Sequence, residues 1–495
     1  MNDASAGRRV ASPAACFFAL LLAVGAGRGV WGDPVVPPAQ ERARIHSPRG
    51  EDTSLVRPEA VRAHVEFLAG DALNGRGSGT RDELIAATYA ASELRQYGVE
   101  PAGDGGGYLQ NVDLVRRELA GPPSAVVQSS GSETRFDHGR EIIVSAMAGP
   151  RVEAPLQKLE AGGKVRAGAA VLLLPSAADA KTGRPGVAEA IERGAAIVLA
   201  LADPQMKQQW PSLGARIPPL AAFLAAFGEA PTEGRPTVVI LGAEAARVVE
   251  ALPDGARVRV EGELKPMERG ATRNVVARLP GSDPKRAAEA VLLSAHIDHL
   301  GVGEPVEGDV IYNGANDDAS GVAAVLELAR ALAAGPRPKR TVLFALFGSE
   351  EQGGYGAAYF RERPPLPLDR IVASVEFEEI GLPDPKVPPH TLWLTGWERS
   401  DLGATLAAHG ARLVADPHPE QDFFRRSDNY VLARRGVVAH TVSSDALYAQ
   451  YHRPSDEPGI LDYGHMAEAI ASLIEPIHWL LDSDYHPRWM PGGKP

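Results

Sequence analysis

The chain has 495 residues, a formal charge of -12 and a single cysteine. At roughly 150 residues per domain that length allows about three domains, and a hydrophobic fraction of 44% is enough to build their cores. The acidic excess excludes the basic face that nucleic acid or an anionic membrane surface requires. Cys16 alone can form neither a disulfide framework nor a cysteine-ligated zinc site, so any metal must be held by His, Asp and Glu. In chain order, Arg8 and Arg9 precede an apolar run over residues 14–24, and small residues follow. This is the layout of a secretory signal, here residues 1–32. The run is shorter than the roughly 20 residues a membrane helix needs. Residues 33–55, rich in Pro, Arg and polar residues, read as a tether. The protein is expected to be secreted or periplasmic, with no membrane span once the signal is removed.

Pro58 opens a helix in which Val61, Val65 and Leu68 recur at helical spacing. A Gly-rich turn follows at 74–79, and a second helix is expected over 82–97, ending at Gly98. From 112 to 265 short apolar runs alternate with Gly and Pro; 165–174 and 195–201 read as buried strands around a short helix at 187–193. Few histidines and no clustered carboxylates fall there, so the stretch reads as a separate, non-catalytic module. From Asn274 strand and helix alternate. Residues 291–295, 341–347, 371–377, 392–395 and 437–442 are strands, 322–332 lie on a helix, and 466–481 form a closing amphipathic helix. This order predicts an α/β fold with a mostly parallel central sheet flanked by helices. Residues 56–111 and 266–484 would together make the catalytic domain, and 485–495 a tail.

Ionisable clusters sit just after these strands: His296-Ile297-Asp298-His299, Asn316-Asp317-Asp318, Glu350-Glu351, Glu376-Phe377-Glu378-Glu379, and His452 in Tyr451-His452-Arg453-Pro454. Sites in open α/β sheets form beyond the carboxyl ends of strands. Imidazoles with carboxylates suit zinc, cobalt or manganese. Two metals about 3.5–4 Å apart can share one carboxylate. Singly, each cluster has an ordinary reading: a satisfied core histidine, a helix-start Asp, a solvated Glu pair. Strand alternation puts Glu376 and Glu378 on one side, where like charges call for a cation or a proton. Five clusters at strand ends in one domain favour a metal site.

In that order, Ala295-His296-Ile297-Asp298, Gly314-Ala315-Asn316-Asp317-Asp318, Ser349-Glu350-Glu351 and Tyr451-His452-Arg453-Pro454-Ser455-Asp456 resemble the motifs of the M28 metallopeptidases, two-zinc aminopeptidases of zinc-exopeptidase-like fold. Residues 64–77 are similar to the N-terminal segment of members. Residues 112–265 resemble the β-rich protease-associated domain that many carry as an insert. The resemblance implies that His296 and Glu378 bind one zinc, Glu351 and His452 the other, and that Asp317 bridges them. It implies Glu350 as general base and Asp298 as the residue orienting His296, with Ser427-Asp428 in support. Peptides with a free N-terminus would be the substrates, the amine held by acidic groups, Glu376 or Glu379 among them. Tyr448 and Tyr451 are both open as donors to the oxyanion. Members often have Asp at positions 316 and 378, an apolar residue at 379 and His at 429. Asn316, Glu378, Glu379 and Asn429 therefore bear more on geometry and substrate preference than on catalysis. A glutaminyl-cyclase-like or carboxypeptidase-like enzyme on the same scaffold, and a non-catalytic binding or receptor-type ectodomain, are the alternatives. The complete ligand set favours the aminopeptidase.

Overall fold

Two nearly unbroken apolar runs, Ala290–His296 and Thr341–Phe347, are buried along their whole length. Strands covered on both faces lose the polar alternation of a half-exposed strand and belong at the centre of a helix-flanked sheet. The computed structural model, which describes residues 56–159, 164–173, 187–218, 220, 223–225, 237–266 and 268–495, has that arrangement. The expected signal, its cysteine and the tether lie outside the described residues.

The larger sheet contains β1 (Leu109–Arg116), β2 (Glu268–Leu279), β3 (Ala290–His296), β4 (Thr341–Phe347), β5 (Ile371–Phe377), β6 (Leu392–Leu394), β7 (Leu413–Ala415) and β8 (Ala439–Ser443). Their spatial order is β7-β6-β8-β5-β3-β4-β2-β1, with the short strand Phe223–Leu224 beyond β1 and Glu100–Pro101 paired to β2. The central four, β4, β3, β5 and β8, are parallel. The flanks are not: β2 pairs antiparallel with β4 and β1, and β6 antiparallel with β8.

One face of this sheet is covered by α1 (Pro58–Leu68), α2 (Arg81–Gln96), α3 (Gly321–Ala334) and α4 (Tyr463–Asp482). Val61, Leu68, Leu94, Val325, Leu328, Ile470 and Leu473 pack there against Val291, Leu293 and Phe344. Pro58 occupies the first turn of α1, where its missing N–H costs nothing. Thr80 caps α2 by accepting from Glu83 N, and Asp462 caps α4 by accepting from His465 N. On the opposite face Ala357, Phe360, Leu432 and Ala433 cover Leu292, Leu343 and Phe347.

A second sheet of eight strands, all within 124–261, has its own core of Ile142, Val144, Leu156, Leu172, Leu199, Val239 and Val258. Residues 170–173, 187–192 and 197–201 form the strand, helix and strand expected there. The passage from one sheet to the other falls after residue 116, not at 112, because β1 pairs with β2 from Glu268↔Arg116 to Val275↔Leu109. Alternating apolar residues in β1 look the same whichever sheet they join, so the boundary was not legible. Among the described residues no helix is long and apolar enough to cross a membrane.

Candidate metal centre

The parallel strands β3, β4, β5 and β8 end on one edge, and the loops after them carry the ionisable clusters. His296 is the last residue of β3; its Nε2 lies 3.0 Å from Asp317 Oδ1 and 3.8 Å from Glu378 Oε1. On the far side of Asp317, Oδ2 lies 3.1 Å from His452 Nε2 and 3.8 Å from His299 Nδ1. Glu351 closes that side, with Oε1 2.7 Å from His299 Nδ1 and Oε2 3.3 Å from His452 Nε2. Two groups result, His296–Asp317–Glu378 and His299–Asp317–Glu351, each with its ligand atoms within 4.8 Å of one another and both using Asp317. Glu350 lines the same cavity.

The donor set fits zinc. His296 Nε2, both ring nitrogens of His299 and Glu351 Oε1 are buried without a hydrogen-bond partner. Buried polar atoms are rarely left so, and lone pairs that crowd together without bonding converge as ligands of a common cation do. Imidazole nitrogens and carboxylate oxygens are ordinary zinc donors.

The surrounding residues explain why these side chains hold still. His296 Nδ1 donates to the backbone carbonyl of Asp298 at 3.1 Å, while that residue's carboxylate is 3.8 Å away. Asp298 thus meets His296 through its main chain, where the expectation was its carboxylate. The Asp298 carboxylate instead accepts from Ser78 Oγ and from Glu350 N, fixing the turn that presents Glu350 and Glu351. Asp318 accepts from His296 N, Gly321 N and Glu379 N, tying three loops together. Asp456 accepts from Asn316 N, Asp317 N and Tyr448 Oη. Gly314 adopts φ +61°, and a Cβ there would collide with the His299 ring and the Asp317 carbonyl, so only glycine fits. Ser349, Glu379 and His452 also have positive φ, a costly state for residues with a Cβ that clusters at functional sites.

Residues 274–475 match the model of peptidase family M28. The chain carries a peptidase family M28 domain. It is 43% identical over 90 residues to a probable zinc metalloprotease of Pyricularia oryzae, covering 18% of this chain and 17% of that protein. It is 34% identical over 119 residues to leupeptin-inactivating enzyme 1 of Streptomyces exfoliatus, covering 23% and 24%. These alignments thus span about a fifth of the length of the curated relatives. An aminopeptidase from Aneurinibacillus sp. strain AM-1 shares the fold at 18% identity, over 88% of this chain and 98% of that one, with a TM-score of 0.51.

Electrostatics in the M28 domain follow from burial among mixed charges. Burial alone would depress His296, but Asp317, Asp318 and Glu350 outweigh it and hold the imidazole well above its ordinary range. Asp317 shows the converse: burial pushes it up, yet His296, His452 and His299 hold it well below the usual carboxylate range. Burial tends to lower His452, and Asp317 and Glu351 reverse this and raise it to about 10. Burial drives Glu350 well up, with Asp428, Glu378 and Glu351 adding to it. Asp428, buried with neither carboxylate oxygen hydrogen-bonded, is pushed to about 8 by burial.

The structure brings together His296, Asp317, Glu351, Glu378 and His452, with Glu350 lining the same cavity and Asp298 bonded to His296. His299, which was not expected, is fully buried at the second group, its ring edge against His452 at 5.8 Å. Its signal was the second imidazole of His296-Ile297-Asp298-His299, three residues past the first. Glu376 does not reach the cavity: its Oε2 accepts from Asn429 N at 2.5 Å and from Thr441 Oγ1 at 3.3 Å. Burial, with Asp428 and Glu378 adding to it, pushes the Glu376 carboxyl well above the usual carboxylate range, so the like charges that strand alternation brings together are relieved by a proton.

Proposed function

We propose that the chain is a two-zinc aminopeptidase, secreted or periplasmic, that removes N-terminal residues from peptides. The observation that carries this reading is Asp317 shared between two imidazole–carboxylate groups, with Glu350 lining the same cavity. His296, Asp317 and Glu378 would hold one ion. Asp317, Glu351 and His452 would hold the other, with His299 beside them. Zinc in such a site supplies Lewis-acid polarisation of a carbonyl and lowers the pKa of water toward about 7.

The chain's own residues do the rest. The Asp298 carbonyl accepts a hydrogen bond from His296 Nδ1, which leaves Nε2, the nitrogen facing Asp317, as the atom a metal would take in place of a proton. The Asp298 carboxylate holds the backbone of Glu350. Glu350 accepts a proton from the attacking water and delivers it to the leaving amine as the C–N bond breaks, so one carboxylate serves as base and then as acid. A cyclase needs one metal group; the presence of two favours hydrolysis. The second sheet, with its own core within 124–261, supports the reading of a protease-associated insert.

The test compares a peptide with a free N-terminus and its acetylated form, assayed with zinc. The free peptide is expected to lose its first residue and the blocked one to stay intact. Equal cleavage of both would refute the exopeptidase reading.

A further inference from the structure

The Gly-rich turn over 74–79 is distant from the metal groups in sequence, yet it touches two of the loops that carry them. At its centre Arg76 is fully buried, with φ +48°, a costly state for a residue with a Cβ. Its guanidinium donates to four backbone carbonyls. Nε reaches Ile297 at 3.0 Å, Nη1 reaches Leu68 at 3.0 Å and Asn313 at 2.5 Å, and Nη2 reaches Gly314 at 2.9 Å. The Arg76 carbonyl in turn accepts from His299 N at 3.2 Å. Gly75, at φ +67°, lets the turn come this close, because a Cβ there would lie 2.1 Å from the Tyr312 carbonyl. Ser78, two residues past Arg76, donates to the Asp298 carboxylate.

A guanidinium stays charged even when buried, and four of its five donors are satisfied here by main chain. Burial lowers its proton affinity, and the field of Asp298, Asp317, Asp318 and Asp456 opposes that. A buried charge is costly, and an apolar side chain of similar volume would fill the same place at no loss of stability. A planar fork, unlike an apolar side chain or an ammonium, can join several segments at once. The segments joined are the end of α1, Ile297 between His296 and Asp298, and Asn313-Gly314 just before Asp317. We propose that Arg76 is a positioning residue of the metal centre, setting the spacing between the histidine loop and the Asp317 loop. The N-terminal segment thereby places ligand atoms before an ion binds. Metal sites need ligands at their proper distances within about 0.2 Å, and one rigid fork across both loops supplies that constraint.

This inference rests on the metal-centre part of the proposed function, and the experiment separates the two. The full chain and its Arg76→Lys and Arg76→Met forms are loaded with cobalt, whose visible absorption follows ligand geometry, and zinc affinity is measured by competition with a chelator. Lysine keeps the charge but donates from a single point; methionine keeps only bulk. Both variants should bind zinc roughly 10- to 100-fold more weakly. Their cobalt absorption should shift, and kcat should fall by more than KM changes. Folded variants with the zinc affinity and cobalt spectrum of the unaltered chain overturn the inference, whatever their stability. Amide hydrogen exchange on the unaltered chain needs no variant that folds. After chelation the His299 N–H, held by the Arg76 carbonyl, should stay protected. Exchange there at the rate of exposed loops would show that the ion orders the loop, and would overturn the inference. A cobalt spectrum that shifts in the variants while no peptide is cleaved supports the inference and overturns the aminopeptidase reading alone. A chain that takes up neither ion overturns both.

Discussion

His296 and His440 lie on strands of the same sheet, and both are almost completely buried, at 1% and 0% exposure. Their surroundings drive them in opposite directions. His440 Nδ1 donates to the Thr395 carbonyl at 2.7 Å and Nε2 accepts from Ser400 Oγ at 2.7 Å. With no carboxylate beside it, burial lowers it to about 4. His296 has an unpartnered Nε2 and carboxylates around it, and is raised. Burial of an imidazole is thus no sign of a metal site. The signs are an unsatisfied ring nitrogen and negative charge converging on it.

The strongest test separates the charge around His296 from ligation. Glu350→Gln removes one neighbouring carboxylate that belongs to neither metal group. Turnover should fall by about 10²–10⁴ while two zinc ions per chain remain, as read by elemental analysis. Loss of both ions would recast Glu350 as a ligand.

Next in size, His296→Ala and His440→Ala should diverge. The first should weaken zinc binding by more than the roughly 10- to 100-fold that loss of a supporting partner costs. The second should leave zinc affinity in place and lower only stability. Competition with a fluorescent chelator reads both, and equal zinc affinities would erase the distinction.

A smaller effect is expected at the residue that orients His296. Because the Asp298 main chain holds Nδ1, Asp298→Asn should keep the ring in place. It should act through the turn before Glu350, lowering kcat by roughly 10-fold with a lesser change in zinc affinity. A fall in zinc affinity as large as that in kcat would return the orienting role to the carboxylate.

The smallest effect is on stability against pH, in chelated protein. His440 has a folded value of about 4, below the ordinary imidazole value of about 6.5. Its contribution is complete above about pH 6.5 and is lost toward pH 4, because the unfolded chain takes up the proton first, at ~1.4 kcal/mol per pH unit. His452, raised to about 10, has the opposite sign: its contribution is complete below about pH 6.5 and is lost as pH rises through 10. Urea midpoints of the chelated protein should fall on both sides of neutrality, and His440→Asn should flatten the acidic limb. An unchanged acidic limb would remove His440 as its cause.

Much of this was legible in the amino-acid order. Fully apolar runs such as 290–295 and 341–347 can be little other than central strands, and ionisable residues just past them mark the strand ends where Asp317, Glu351 and Glu378 meet. What stayed hidden depends on where a side chain turns after its strand ends. Glu376 was expected to help hold the substrate amine, and its Oε2 is instead taken by Asn429 N and Thr441 Oγ1. His299 stood in the first cluster without a role of its own, and Gly314, by having no side chain, lets its ring in. Asp298 was recognised as a partner, but no spacing rule tells a carbonyl from a carboxylate.

The pairing of β1 with β2 has a consequence of its own. These strands carry the chain out to the second sheet and back, and their register holds Arg116 opposite Glu268. The departure and return points are therefore held one strand spacing apart, about 5 Å, whatever lies between them. Closing a flexible segment across such a gap becomes only about 0.6 kcal/mol harder each time its length doubles. The outer lobe can therefore lengthen at its flexible connections at little thermodynamic penalty to the sheet that holds Asp317, so long as Phe223–Leu224 keeps its place beside β1.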